Sequence, residues 1–384
     1  MTYAEGRTYY DADSHLMELS GWLAEYADPD VRDELRPLAL GGAGALADEA
    51  VRAAEARRGD RAAAAALERD VMGPKGWNAL GAFDPAERSR ALDLLGFDAQ
   101  LVFSTFAATQ FASDDPRVLY GGTRAHNRAM ADFCRADPRL IAVAFVPLAN
   151  AELATEAARE AIDMGCDAVL VPSTPPRDKS PTHPDYWPLW ATLEDACVPF
   201  MLHVGGGGRP LRRAFHDNGK PPVSDFLGGG ENVRSKDYMV LHHPPETFLA
   251  CMALDGMFEQ FPGLRGGCIE QGALWVVPLL QRLDIAQATF QRTEPALRLP
   301  LRASDYLRRQ MKFTPFPTEP VGWMIEQAGP ELFCFSSDYP HPEGGHDPLG
   351  RFEAELAGIG DDACDAFYSG NFAEMMGPVL GRHR

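Results

Sequence analysis

The sequence predicts an α/β fold of the (β/α)8 class, a TIM barrel. Short apolar runs recur along the chain at spacings that leave room for a helix between them. Continuous apolar runs of this kind are typical of parallel strands, which are buried on both faces. Polar residues crowd the carboxyl ends of several runs, and this favours a barrel over the competing doubly wound open sheet.

Eight strands are predicted, and helical patterns alternate with them. The clearest helical patterns cover residues 151–165, 245–261 and 273–286, and residues 347–377 read as closing helices. We therefore expect one metal-dependent barrel domain over residues 1–384. The predicted strands lie at residues 8–16, 98–105, 140–148, 167–174, 198–205, 264–272, 311–317 and 331–341.

Three segments do not fit a minimal barrel: the closing helices at residues 347–377 and two insertions. Residues 40–72 are rich in alanine and predict an inserted helix or helical hairpin. Residues 205–243 begin with four glycines and contain several basic residues. A loop this long in a compact protein is usually a lid or a wall of the substrate site.

Composition and charge exclude several classes of protein. The 384 residues are 45 % apolar, and 36 Lys and Arg face 55 Asp and Glu, a formal charge of −19. So acidic a chain is a poor general binder of nucleic acid or anionic lipid. Seven scattered cysteines without a CxxC pair argue against a disulfide framework. We see no secretory signal pattern and no apolar run of the roughly 18 residues that span a membrane, so we expect a cytoplasmic protein.

Acidic and histidine residues lie at the ends of four predicted strands. Asp11, Asp13 and His15 alternate at the end of the first strand, so they share one face. In a barrel these ends converge on one mouth. Several carboxylates and imidazoles so close together are electrostatically unfavourable without a cation. The other strand-end residues of this kind are His203, Glu270, Asp338 and His341.

Each of these residues also has a purely structural interpretation. Asp13 could cap a helix, and Asp338 before Tyr-Pro could set a turn. Histidines elsewhere are typical surface or cap residues, namely His126, His183, His216, His346 and His383. Taken as a set on four strand ends, however, the residues favour a metal site.

The strand-one motif, the strand-five histidine and the sequence FSSDYPH resemble the amidohydrolase superfamily. The resemblance extends to residues 76–105, 261–284 and 367–377, and its nearest branch contains aromatic acid decarboxylases. It implies that Asp13 and His15 occupy the family's HxH metal pair. It likewise implies that His203 is the strand-five ligand and Asp338 the strand-eight aspartate.

The sequence departs from the family pattern at two ligand positions. Asp13 replaces the first histidine of the pair, and Glu270 stands where hydrolases usually have a histidine. The fourth strand supplies no Lys or Glu to bridge two metals. A site richer in carboxylate and poorer in imidazole shifts the preference from zinc towards iron or manganese.

This ligand inventory is similar to that of non-haem diiron oxygenases, including a small group built on this barrel. The resemblance implies two irons held by carboxylates and imidazoles, with His341 as a sixth candidate ligand. Asp11 would orient a ligating imidazole. The five main ligands would be Asp13, His15, His203, Glu270 and Asp338.

The expected function on this resemblance is a monooxygenase that uses O2. It would hydroxylate an unactivated C–H bond of a terpenoid or of an acid linked to CoA, with electrons from a reductase. Arg209, Arg212 and Arg213 could hold CoA phosphates or a carboxylate, or form a solvated loop. Aromatic residues could exclude water from the oxidant or belong to the core; they are Phe103, Phe106, Phe316 and Trp323.

Two other functions stay open. One is a mononuclear zinc or manganese hydrolase or decarboxylase, in which Asp338 or His243 could move a proton. The other is a binding protein that kept the barrel and lost its chemistry. In the enzyme interpretations we expect Asp338, Glu270 and His243 to be catalytic. A homodimer through the inserted helices is also expected.

Overall fold

A computed structural model of the protein describes residues 2–38, 40, 44–176, 179–206, 211–221 and 233–383. Its centre is a parallel sheet of eight strands, in the order β1-β3-β4-β5-β6-β7-β8, with β2 also paired to β3. The strands are β1 (Tyr10–Asp11), β2 (His15–Leu16), β3 (Ala99–Ser104), β4 (Leu140–Phe145), β5 (Ala168–Leu170), β6 (Phe200–His203), β7 (Gly266–Ile269) and β8 (Met311–Phe313).

The segment after β8 closes the sheet into a barrel. Single parallel bridges join Phe333 to Phe313 and Tyr339 to Ser14. The Ala12 N–H donates to the Phe335 carbonyl at 3.1 Å, which ties the segment to the first strand. This confirms the predicted TIM-barrel class. The short strands β1 and β2 both pair with β3 and share the first position, and residues 333–339 take the eighth.

Helices follow the strands and cover the sheet. Asp84, Asp115 and Asn150 begin three of them, because each side chain accepts N–H groups of the first helical turn. The helices are α1 (Pro29–Arg32), α2 (Gly44–Arg57), α3 (Arg61–Glu68), α4 (Pro85–Leu95), α5 (Ala108–Phe111), α6 (Pro116–Cys134), α7 (Ala151–Asp163), α8 (Trp187–Ala196), α9 (Ser235–Tyr238), α10 (His243–Leu254), α11 (Met257–Gln260), α12 (Val276–Phe290), α13 (Ala303–Gln310), α14 (Val321–Ala328), α15 (Pro348–Glu355), α16 (Asp361–Asp365) and α17 (Asn371–Met376).

The core lies between the sheet and the helices. The strand residues are almost all buried, as the continuous apolar runs predict. Trp190 of α8 packs its ring edge-on against Phe200 of β6, with centroids 5.5 Å apart. A Cβ at Gly266 would lie 2.7 Å from the Phe200 ring, so β7 needs a glycine there.

The two predicted insertions have different structures. Residues 40–72 contain α2 and α3, the expected helical hairpin. Of residues 205–243, the described parts include a single 3-10 turn at Arg213–Phe215 and the short helix α9, while residues 207–210 and 222–232 lie outside the described residues. Within the described parts of the chain, no helix is long and apolar enough to cross a membrane.

Candidate metal centre

Six residues predicted as metal ligands meet at the carboxyl ends of the strands. Asp13 lies between β1 and β2, and His15 begins β2. His203 ends β6, and Glu270 directly follows β7. Asp338 and His341 come from the segment that closes the barrel. All six are buried.

Two histidines and two carboxylates form the inner part of this site. Asp13 Oδ1 lies 3.2 Å from His15 Nε2 and 3.3 Å from His203 Nε2. Glu270 Oε2 lies 3.3 Å from His203 Nε2 and 3.8 Å from His15 Nε2. The four groups offer ligand atoms that all lie within 4.8 Å of one another, as a bound cation requires.

Asp338 and His341 extend the site on one side. Asp338 Oδ1 lies 3.4 Å from His15 Nε2 and 3.1 Å from His341 Nδ1. The rings of His15 and His341 stack with centroids 3.8 Å apart. Together with His15 and Glu270, these two residues form a second set whose ligand atoms also lie within 4.8 Å.

His15 is neutral and Asp13 is ionised in this site. Burial, and then the neighbouring His341, lowers the pKa of His15 to about 3, so the imidazole is neutral at pH 7. Burial acts to raise the pKa of Asp13, but His15 and His203 outweigh it and hold that pKa below its usual range. Neither ring nitrogen of His15 makes a hydrogen bond within the described residues. Its free nitrogen and the ionised carboxylate fit a divalent metal ion.

Neighbouring groups fix the orientation of two ligands. The carbonyl of Val204 lies 3.0 Å from His203 Nδ1, so that nitrogen carries the proton, and Nε2 faces Asp13 Oδ1 at 3.3 Å. Asp11 accepts N–H groups of Gln100 and Asp13, at 2.7 and 3.2 Å. Ser337 donates both its N–H and its hydroxyl to Asp11. Asp11 thus ties the backbone of Asp13 to Ser337, and its predicted role in orienting a ligating imidazole stays a prediction.

Thr105 contacts the outer histidine. Its hydroxyl donates to the Leu16 carbonyl at 2.9 Å and lies 3.0 Å from His341 Nε2. A hydroxyl has one proton, so His341 donates from Nε2, and its Nδ1 faces Asp338 Oδ1 at 3.1 Å. The buried Glu18 carboxylate holds this loop, since it accepts the N–H groups of Thr105 and Ala107 at 3.0 and 3.1 Å.

Glu270 and Asp338 have unusual backbone conformations. Their φ angles are +53° and +52°, in the left-handed region that favours glycine. The Glu270 N–H donates to Thr314 Oγ1 at 2.9 Å, and the Asp338 N–H donates to the Asp13 carbonyl at 3.0 Å. Such strain persists where surrounding contacts enforce it, and it concentrates at functional sites.

The other predicted residues belong to neither of these two ligand sets. His243 is exposed at the first residue of α10, and neither set includes it. Arg212 and Arg213 are exposed, and Arg209 lies outside the described residues. Phe103 is buried beside His203, with centroids 4.5 Å apart. Trp323, in contrast, is 46 % exposed on α14.

Sequence reasoning missed Lys75, Thr105, Glu18 and Glu343 around the site. Thr105 and Glu18 lie close to predicted strand ends, and their positions alone gave a weak signal. Lys75 and Glu343 lie in loops whose conformation no sequence pattern specifies. Only the folded chain brings them to Asp338.

Known proteins with similar sequences or folds include decarboxylases. The γ-resorcylate decarboxylase of Rhizobium sp. is 25 % identical over 265 residues, which cover 66 % of this chain and 76 % of that protein. An amidohydrolase from Mycobacterium avium subsp. paratuberculosis has a similar fold, with TM-score 0.72, 20 % identity, and coverage of 97 % and 100 %. A dihydroxybenzoic acid decarboxylase from Polaromonas sp., solved with manganese and the inhibitor 2-nitroresorcinol, gives TM-score 0.58 at 15 % identity and 97 % coverage of each chain.

The expected diiron monooxygenase is wrong. The similar proteins of known activity are lyases, and they contradict an oxidoreductase that needs O2, a reductase and a terpenoid or CoA-linked substrate. Two irons have no support either, because the decarboxylase from Polaromonas was solved with manganese. The error has a physical cause: both manganese and iron accept carboxylate and imidazole ligands, so the ligand inventory does not specify redox chemistry.

The family assignment itself extends over nearly the whole chain. The model of the family described as amidohydrolase matches residues 10–377. That range includes every predicted ligand and the barrel that positions them. The chain therefore belongs to the amidohydrolase family.

Proposed function

We propose that this protein is a manganese-dependent decarboxylase of hydroxylated aromatic carboxylic acids. The observation that carries the proposal is the buried set of two imidazoles and two carboxylates at the barrel mouth, with Asp338 at its edge. The γ-resorcylate decarboxylase similarity supplies the reaction class. Carboxylate-rich sites prefer manganese over softer metals, in agreement with the similar structure solved with that ion.

The residues divide into a cation-binding part and a proton-handling part. Asp13, His15, His203 and Glu270 would hold the metal, because their ligand atoms converge. When bound, manganese supplies a Lewis acid that orients and polarises the substrate oxygens. The site needs no oxidant for this chemistry.

Asp338 is the proposed proton donor. In the reaction the bond between the ring carbon and the carboxylate breaks, CO2 leaves, and a proton takes its place on the carbon. Asp338 lies at the edge of the cation-binding set, 3.1 Å from His341 Nδ1. The neighbouring His341 holds the carboxyl group in place, and the acid proton goes to the ring carbon as CO2 leaves.

The proposal is tested by turnover of the manganese-loaded protein in D2O. We would supply 2,6-dihydroxybenzoate, 4-hydroxybenzoate and benzoate separately, and measure released CO2 and the mass of the aromatic product. We expect CO2 from a hydroxylated acid and one deuterium at the vacated ring carbon. Chelator-treated protein serves as the control and should regain activity with manganese. Release of no CO2 from any acid would contradict the proposal.

A further inference from the structure

Three buried polar atoms near Asp338 have no hydrogen-bond partner among the described residues. They are Lys75 Nζ and both carboxylate oxygens of Glu343. Buried polar groups in folded proteins are nearly always hydrogen-bonded, and a buried ammonium without a partner is especially costly. Charged groups left in this way next to a candidate metal centre indicate a position that a polar ligand completes.

The fold brings the loops of Lys75 and Glu343 close to Asp338, and both side chains interact with it through space. The N–H of Gly76, next to Lys75, donates to the Pro340 carbonyl at 2.8 Å, so this segment lies on the loop after Asp338. A Cβ at Gly344, next to Glu343, would lie 2.9 Å from Asp338 Cβ. The two loops therefore approach the proposed proton donor from different elements.

The charges in this corner are complementary but not paired directly. Lys75 interacts through space with Asp338, Asp70 and Glu343, and it forms no ion pair or hydrogen bond with a described residue. Burial lowers the pKa of Lys75 to about 8, which leaves the ammonium mainly charged at pH 7. The corner thus offers a cation that donates and a carboxylate that accepts.

We propose that Lys75 and Glu343 form the polar end of the substrate site and select aromatic acids that carry both a carboxylate and a hydroxyl. The Lys75 ammonium donates a hydrogen bond to a carboxylate oxygen of the substrate, and the Glu343 carboxylate accepts a hydrogen bond from the substrate hydroxyl. The inference rests on the proposed function for the substrate class. Both residues bind the substrate before reaction, so they act mainly on KM.

The experiment measures binding of three probes to the manganese-loaded protein by calorimetry at pH 7. The probes are 2,6-dihydroxybenzoate, benzoate, which lacks the hydroxyls, and resorcinol, which lacks the carboxylate. Lys75→Met should weaken the binding of the two probes that carry a carboxylate by roughly 10- to 100-fold, the usual contribution of a charge-assisted hydrogen bond. The affinity for resorcinol should not change. Glu343→Gln should weaken the binding of the two probes that carry hydroxyls and leave the affinity for benzoate unchanged.

Two controls separate ligand binding from effects on charge and metal. Lys179→Met removes an exposed ammonium that pairs with Asp185, and it should change no probe affinity. Manganese affinity, followed by electron paramagnetic resonance, should stay within about threefold in Lys75→Met. If Lys75 only balances the charge of Asp338, manganese affinity changes and the probe affinities of the loaded site do not, which overturns the proposal.

Turnover distinguishes this inference from the proposed function. A protein that shows the expected probe pattern but releases no CO2 retains the polar site and is not a decarboxylase. A protein that releases CO2 while Lys75→Met and Glu343→Gln bind all probes like the wild type is a decarboxylase without this site. Failure of the wild type to bind any of the three probes overturns the inference as well.

Discussion

The imidazole rings of His15 and His341 stack with centroids 3.8 Å apart and planes inclined by 19°. Two charged rings at this separation would repel each other, so the contact requires that at least one be neutral. The lowered pKa of His15, about 3, identifies it as the neutral ring. Burial, together with the neighbouring His341, therefore keeps a ligand nitrogen unprotonated in a site rich in carboxylate.

His15 is predicted to be essential for metal binding. Substitution His15→Ala removes one of the two ligands that both sets share, the other being Glu270, so the protein should lose most of its manganese. Elemental analysis of the purified variant measures this directly. His183→Ala, which changes a half-exposed histidine remote from both sets, should retain the wild-type content. Full occupancy in His15→Ala would show that the ligand assignment is wrong.

Asp338 is predicted to affect turnover more than metal binding. Asp338→Asn keeps the shape of the side chain but cannot donate a carboxylic proton. We expect kcat to fall by about 100- to 10,000-fold, the usual contribution of general acid catalysis, while manganese affinity changes little. Parallel rate assays and metal titrations measure both effects. A variant that loses its metal would place Asp338 among the ligands instead.

Thr105 is predicted to position His341 through its hydroxyl. Thr105→Val removes the group that fixes the ring, and kcat should fall by about tenfold with little change in KM. Thr105→Ser keeps the hydroxyl and should restore the rate. If valine and serine variants behave alike, the hydroxyl has no part in orienting His341.

His126 is predicted to make stability depend on pH. It is buried between Ser104 and Asn127, and burial lowers its pKa to about 4, below the 6.5 of an exposed histidine. Between these values the unfolded chain binds more protons, so stability falls as pH drops below about 6.5.

Denaturant unfolding at pH 7 and pH 5 measures this effect. From pH 7 to pH 5 the free energy of unfolding of the wild type should fall by on the order of 2 kcal/mol more than that of His126→Gln, since the glutamine does not titrate. The difference between the two proteins removes the contributions that other titrating groups make to the change in unfolding free energy. Equal losses in the two proteins would show that His126 does not carry the effect.

The sequence was sufficient to predict the barrel and the residues at its mouth. Strand ends of a parallel barrel converge by topology, so Asp13, His15 and His203 could be assigned from their places on apolar runs. Glu270 and Asp338 followed for the same reason. Their left-handed backbones left no trace in the sequence, because both are residues that rarely adopt it.

The features that could not be predicted depend on loop conformation or on a reaction type that the metal ligands do not determine. Lys75 and Glu343 come from loops whose packing against Asp338 results from contacts distant in sequence. His243 also follows a long loop, and it lies exposed at a helix start. The oxygenase expectation failed at a different level, because the same imidazoles and carboxylates serve redox and non-redox metals.

The most direct test of the central claim compares turnover with and without oxygen. The manganese-loaded protein would receive 2,6-dihydroxybenzoate and 4-hydroxybenzoate under nitrogen and in air, with CO2 and dissolved O2 recorded together. Decarboxylation predicts equal CO2 release under both conditions and no O2 consumption. Substrate loss that occurs only in air, with O2 consumed, would contradict the account.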